Sequence, residues 1–415
     1  MTSIAEPVPD RDRTHVLDVL RGIALLGMFL VHFSTYASGG GSLDRGYRTV
    51  VELLFEERFW ATFAILFGAG FAIQLRRADA RGDSLVPRYL RRMAGLAVFG
   101  FAAHAIFGFN VLLGYAAWGV PLLLVRRWST RSLVIALVVS AMSWNIYAIA
   151  TAAYSVSTRG EAGARAALEA SNTKAAEFRA ANQKAQESTS YRTVLRAHLA
   201  HMRWFYAQPF SFLPVFTLTL FLLGFLGIRL GLFDEPERHR RFIASIAVFG
   251  AVSWAVATWV FPVIPPRTLD GLVSTMLVNR LQYGFGLIST MWLAFAYIGI
   301  VLLLVSYDPR WIRRLAAFAW TGRMALTNYM IQIAILDLSF SNYGLGITVT
   351  PIVGAGLALL LFFADAIVSR WWLAHFRFGP FEWVWRCVTY ARIEPIRVRH
   401  GGESPATAHH TPHPA

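Results

Sequence analysis

Cysteine occurs once in the 415 residues, as Cys387, so no intrachain disulfide can form and the redox compartment cannot be read from cysteines. Lysine occurs twice, as Lys174 and Lys184, so arginine carries nearly all of the positive charge. Charged residues make up only 15% of the chain, which argues against a water-soluble globule. Several motifs are also missing: a phosphate-binding glycine loop with its lysine, a dinucleotide fingerprint after a strand, a nucleophile elbow, and the spacing of a zinc site. Chemistry built on those templates is excluded. The first ten residues have neither a basic stretch nor a small-residue cleavage site, so the first apolar span reads as a retained helix.

What is abundant is apolar. Hydrophobic residues are 56% of the chain and mean hydropathy is +0.47, values of a polytopic membrane protein. The net charge of +15 does not indicate nucleic acid, because the arginines sit in short loops beside apolar spans, the signature of cytoplasmic loops. Ten spans are expected, at about 16–37, 59–76, 92–109, 111–126, 132–154, 209–230, 242–263, 284–306, 315–340 and 347–370. The fold class is therefore all-α: one bundle of about ten transmembrane helices over residues 1–400. A helical insert at about 155–207 would lie outside the cytoplasm, and residues 401–415 would form a disordered tail. One set of loops holds Arg76 to Arg92, Arg126 to Arg131, Arg229 to Arg241 and Arg310 to Arg314. The opposite short loops hold only Arg45, Arg48, Arg58, Arg267 and Arg280. This asymmetry places both termini in the cytoplasm of a plasma-membrane protein. Glu382 and Arg386, four apart among tryptophans, suggest an amphipathic helix on the inner leaflet. The tail histidines His409, His410 and His413 are given no metal-binding role.

Ionisable residues inside a membrane helix are costly and face a bundle interior or a wet cavity. Asp18, Arg21 and His32 lie in the first span. At roughly 100° per residue, Arg21 is about 60° from Asp18 and His32 returns to within about 20° of Arg21. Arg21 and His32 are separated by roughly 16 Å of rise. His32 is the candidate general base, Arg21 could bind a phosphate or polarise a carbonyl, and Asp18 would pair with Arg21. The competing interpretation is a structural ion pair beside a hydrogen-bonded histidine. In the span 315–340, Thr321, Asn328, Gln332 and Ser339 share one direction, which suits either helix packing or the lining of a cavity. Asn328 and Gln332 are the candidate donor contacts there. His104, Asn145, Asn279, Arg280, Gln282 and Asp365 read as structural. Gly68 and Gly70 read as sites of close helix contact.

Four stretches carry a resemblance: Leu17-Asp18 with Leu20-Arg21-Gly22-Ile23-Ala24-Leu25-Leu26-Gly27, Phe63 to Phe71, Thr321 to Tyr329, and Phe378-Gly379-Pro380-Phe381-Glu382-Trp383. They resemble the bacterial YeiB-like family, known as the DUF418 domain family, whose wider relatives are transmembrane acyltransferases. In the acyltransferase-3 relatives an arginine, ten residues and then a histidine occupy the first membrane helix, and Arg21 and His32 have that spacing. The resemblance implies His32 as catalytic base and Arg21 as an acyl-donor contact. It also implies a membrane enzyme moving an acyl group, such as acetyl, from cytoplasmic acyl-CoA to an envelope glycan or lipid-linked acceptor. No metal and no nucleic acid enter that scheme. The alternatives are a transporter or channel-like protein, and a non-catalytic membrane partner protein.

Overall fold

The computed structural model describes residues 15–108, 110–207, 212–260 and 269–398, without the side chains of 212–215 and 282–291. The tail at 401–415 lies outside the described residues. Among the described residues the chain is helical throughout and holds no strand. A single isolated antiparallel bridge pairs Phe376 with Arg397.

The elements run α1 (His15–Tyr36), α2 (Ser42–Leu54), α3 (Arg58–Ala80), α4 (Leu85–Phe107), α5 (Leu112–Gly119), α6 (Leu122–Val125), α7 (Thr130–Gln186), α8 (Tyr191–Ala207) and α9 (Phe212–Arg229). After a 3₁₀ turn at Pro236–His239 come α10 (Arg240–Ala255), a π turn at Val256–Val260, α11 (Leu272–Tyr307), α12 (Arg310–Arg314), α13 (Ala316–Arg323), α14 (Ala325–Phe340), α15 (Pro351–His375) and α16 (Pro380–Tyr390). Among the described residues, six stretches are long and apolar enough to cross a membrane: His15–Tyr36, Ser42–Ala80, Leu85–Phe107, Thr130–Gln186, Pro236–Val260 and Pro351–His375. Five shorter apolar helices accompany them.

Local chemistry explains the breaks. The expected span 111–126 is split at Pro121, which cannot donate a helical hydrogen bond. The expected span 315–340 is split at Met324, whose backbone (φ −109°, ψ 31°) ends α13 and starts α14. At the start of α7 the Ser129 side chain accepts from the Ser132 amide at 3.1 Å, a standard N-cap. Two helical stretches of α7 meet at Gly160, which adopts φ 69°. Helix α2 was not among the expected elements.

Two glycine pairs set the tightest helix contacts. A Cβ on Gly224 would overlap the carbonyl of Ile65, and one on Gly68 that of Phe221, so α3 and α9 touch backbone to backbone. Gly22 and Gly322 do the same between α1 and α13, against Phe318 and Asp18. Without room for even a methyl group, these contacts are held by close packing along the helix faces.

The two ends of the bundle differ. At one end the arginines tie neighbouring helix termini together. Arg76 pairs with Asp234 at 2.5 Å, Arg91 donates to the Thr389 carbonyl at 3.1 Å, and Arg240 donates to Ser306 Oγ at 3.2 Å. At the other end the second half of α7 and α8 form a helical arm, joined by Phe178 stacked on Trp204 at 5.0 Å. The arm folds back onto the end of α4, where His198 Nδ1 lies 3.3 Å from the Ala105 carbonyl. It also reaches the turn after α14, where Asn342 donates to the Glu187 carbonyl at 2.6 Å.

Candidate functional site

A cavity of about 230 Å³ opens near the arginine-rich end, between α1, α3, α4, α5, α13, α14 and α16. One wall is charged: Asp18, Arg21, Arg92, Arg323, Glu382 and Arg386. The other is apolar and aromatic, with Phe63, Leu66, Phe67, Leu96, Tyr115 and Tyr329. Four guanidiniums therefore face two carboxylates, and both carboxylates are already engaged.

Asp18 is buried and its Oδ1 accepts from Arg21 Nη1 at 2.8 Å, one turn along α1, while its Oδ2 has no hydrogen-bond partner among the described residues. The Arg21 side chain remains 29% exposed. Its Nη2 would lie 3.8 Å from a Cβ placed on Gly70, so Gly70 borders the cavity and is not one of the tight helix contacts. Gly68 alone takes the packing role expected of both.

Glu382 reaches from α16 to the broken start of α14. It accepts from the Leu326 amide at 2.7 Å, the Thr327 amide at 3.1 Å and Thr327 Oγ1 at 2.5 Å. Thr327 Oγ1 accepts in turn from the Phe381 amide at 3.1 Å. A helix start leaves amide donors unsatisfied and favours negative charge, so this carboxylate caps α14 from 55 residues away. Burial pushes the Glu382 carboxyl above the ordinary carboxylate range, and the three donors oppose that shift. Arg92 stacks over the Trp385 ring at 3.7 Å, and the Trp385 indole donates to the Arg92 carbonyl at 2.8 Å. Arg386 stacks over Phe378 at 4.1 Å. Aromatic stacking helps to hold these cations in place.

The candidate residues read from the sequence are distributed as follows. Asp18 and Arg21 line the cavity. His32 does not; it sits one turn past Met28, the innermost α1 residue in the lining. Its Nδ1 lies 3.3 Å from Gln332 Nε2 on α14, and Gln332 Oε1 is buried without a hydrogen-bond partner among the described residues. Asn328 turns away from the cavity and donates to the Thr321 carbonyl at 3.2 Å and to Ser369 Oγ at 3.1 Å, joining α13, α14 and α15. The sequence reading missed Arg92, Arg323, Glu382, Arg386 and Tyr329 as cavity residues. Arg92 looked like a loop charge, and Glu382 and Arg386 like one face of a surface helix. The available signal was the Phe-Gly-Pro-Phe-Glu-Trp motif, where a Cβ on Gly379 would collide with Glu382 Oε2.

Residues 13–180 match the family described as heparan-alpha-glucosaminide N-acetyltransferase, catalytic, and residues 228–392 match the family described as protein of unknown function (DUF418). The first match holds Asp18, Arg21 and Arg92, and the second holds Arg323, Glu382 and Arg386. The chain is 28% identical to the uncharacterized protein YxaH of Bacillus subtilis (strain 168), over 95% of this chain and 98% of that one. It is 27% identical to an uncharacterized 39.9 kDa protein in the amylase 3′ region of Bacillus acidopullulyticus, over 95% and 99%. It is 24% identical to the uncharacterized protein YeiB of Escherichia coli (strain K12), over 92% and 98%. No solved structure matches the chain. Residues 228–392 thus match the DUF418 family, and over nearly its whole length the chain is similar to uncharacterized proteins that include YeiB.

Proposed function

We propose that the protein is a membrane-embedded acyltransferase that takes its acyl group from acyl-CoA. The observation that carries this reading is a cavity lined by four arginines and by apolar and aromatic side chains, whose lining on α1 ends at Met28, four residues before His32. Arginine suits the planar, multidentate recognition of phosphates. An apolar wall beside it suits the acyl and thioester end of the same molecule. The match of residues 13–180 to an acetyltransferase catalytic domain supports the same chemistry.

In this scheme Arg21, Arg92, Arg323 and Arg386 hold the donor's phosphates, with Asp18 fixing Arg21. The thioester lies at the inner end of the cavity. With the Gln332 amide turned over so that its Oε1 accepts from His32 Nδ1–H, Nε2 of His32 is left to accept the proton of an acceptor hydroxyl as that oxygen attacks the thioester carbonyl. The C–S bond then breaks, and the proton returns from His32 to the departing thiolate, giving an ester and free CoA. The membrane arrangement we propose has about ten spans, both termini in the cytoplasm of a cell-membrane protein, the arginine-rich end inward and the α7–α8 arm outside. Impermeant labelling of a cysteine at position 170 but not 84 in intact cells, on a Cys387→Ser background, is the expected result, and the reverse pattern would reject the orientation. For the donor site, Arg21→Ala should weaken CoA binding by about 1–3 kcal/mol, the worth of a hydrogen bond to a charged group. Unchanged affinity by calorimetry in nanodiscs would reject Arg21 as a donor contact.

A further inference from the structure

Helix α8 holds three arginines, Arg192, Arg196 and Arg203, and no acid. Its buried residues, Val194, Ala197 and His198, fix the side turned to the bundle. Two contacts lay the helix along the bundle end. Tyr191 meets Tyr343, beyond α14, at 5.0 Å, and His198 Nδ1 lies 3.3 Å from the Ala105 carbonyl near the end of α4. At roughly 100° per residue, Arg196, Leu199 and Arg203 all fall within about 40° of Arg192, and the buried trio lies on the opposite side. The four residues of this stripe are exposed. Among the described residues none of the three guanidiniums pairs with a carboxylate.

The spacing selects the partner. Arg192, Arg196, Leu199 and Arg203 follow one another at intervals of four, three and four residues, the alternation of a helix-pairing seam. The stripe is about 16 Å long at a rise of about 1.5 Å per residue. Arginine forks on such a seam call for carboxylates opposite them, and Leu199 between them calls for an apolar side chain. Ala200, exposed on the flank, leaves room for a second helix to approach. A bilayer surface suits the stripe less, because the stripe points away from the helix end on which α8 packs. A flexible polyanion would leave Leu199 uncovered. We propose that this face docks an acidic amphipathic helix of a partner protein, whose Asp or Glu side chains meet Arg192, Arg196 and Arg203 and whose apolar side chain covers Leu199. The proposal is independent of the acyltransferase reading.

The full chain in nanodiscs is titrated with three probes, and affinity is read by fluorescence anisotropy. The first is a synthetic three-heptad helix with glutamate and leucine alternating along its seam. The second is its scrambled isomer of equal charge, and the third is long-chain inorganic polyphosphate. Salt is held at about 0.15 M, where exposed charges more than about 8 Å apart are largely screened. The seam peptide should bind at least tenfold tighter than its isomer. Arg192→Glu/Arg196→Glu/Arg203→Glu should weaken it at least tenfold. Lys174→Glu/Arg179→Glu/Lys184→Glu removes the same charge from exposed positions spread around α7 and should change affinity less than threefold. Leu199→Asn leaves every charge in place, so it tests the seam even where the triple reversal fails to fold; it should weaken the peptide and leave polyphosphate unaffected. Equal binding of the peptide and its isomer, equal losses from the two triple variants, or an unchanged affinity in Leu199→Asn overturns the proposal. Polyphosphate binding that the stripe reversal abolishes, with no binding of the seam peptide, would assign the face to a phosphate polymer and likewise overturn it.

Discussion

Removing the Glu382 carboxylate should open the junction on which the charged wall of the cavity is built. In Glu382→Ala, two amides at the start of α14 and the Thr327 hydroxyl lose their acceptor together. Hydrogen bonds to a charged partner contribute about 1.5–3 kcal/mol each, and buried donors left unpaired add their desolvation cost. The three share one carboxylate and are not additive, so the expected loss is about 3–5 kcal/mol. Glu382→Gln keeps one acceptor oxygen but loses the charge that favours a helix start, and should cost about 1–2 kcal/mol. Glu235→Ala, which breaks an exposed ion pair with Arg238, is the control and should stay within about 0.5 kcal/mol of wild type. Denaturation in mixed micelles orders the three variants. CoA calorimetry should show Glu382→Gln weakened as well, because Arg323 and Tyr329 flank the capped turn. A Glu382→Ala protein as stable as Glu235→Ala would refute the capping argument.

Gly68 and Gly70 should separate cleanly. Gly68→Ala drives a methyl group into the Phe221 backbone and should cost at least about 2–3 kcal/mol, whereas Gly70→Ala meets Arg21 only at contact distance and should leave stability unchanged within about 0.5 kcal/mol. Equal thermal shifts for the two would contradict the packing assignment. The arm should loosen in acid. Burial holds His198 and His201 below the ordinary imidazole pKa, so undocking lets them take up protons. The stability they contribute is present above about pH 6.5 and is lost as pH falls below it. Amide exchange over residues 191–207 should therefore quicken between pH 7.5 and 5.5 after correction for intrinsic rate. Unchanged protection would exclude the histidines as the cause.

The helical character of the spans was legible because apolar run length and 3.6-residue periodicity are local properties. The shared face of Asp18 and Arg21 followed from the same arithmetic. What stayed hidden depends on distant partners. Nothing at Met324 marks a helix break; the break is held open by Glu382 on a helix that follows much later. Arg92 reads as a loop charge until α4 is seen to begin at Leu85 and to place it under Trp385. Helix α2, thirteen residues of mixed apolar and charged character, falls below the length at which a span announces itself. Gly68 and Gly70 sit two residues apart, hence on different faces of α3, and only the positions of α9 and Arg21 assign their roles.

The central claim is that His32 carries the chemistry while the arginine cavity carries the donor. Acyl transfer from acetyl-CoA by the purified full chain in nanodiscs, compared between wild type and His32→Asn, tests it most directly. Asparagine keeps size and hydrogen bonding toward Gln332 but cannot act as a base near neutral pH. Turnover should fall about 10²–10⁴-fold, the usual worth of a positioned general base, with CoA affinity unchanged. Full turnover by His32→Asn would contradict the account and leave the histidine as a structural partner of Gln332.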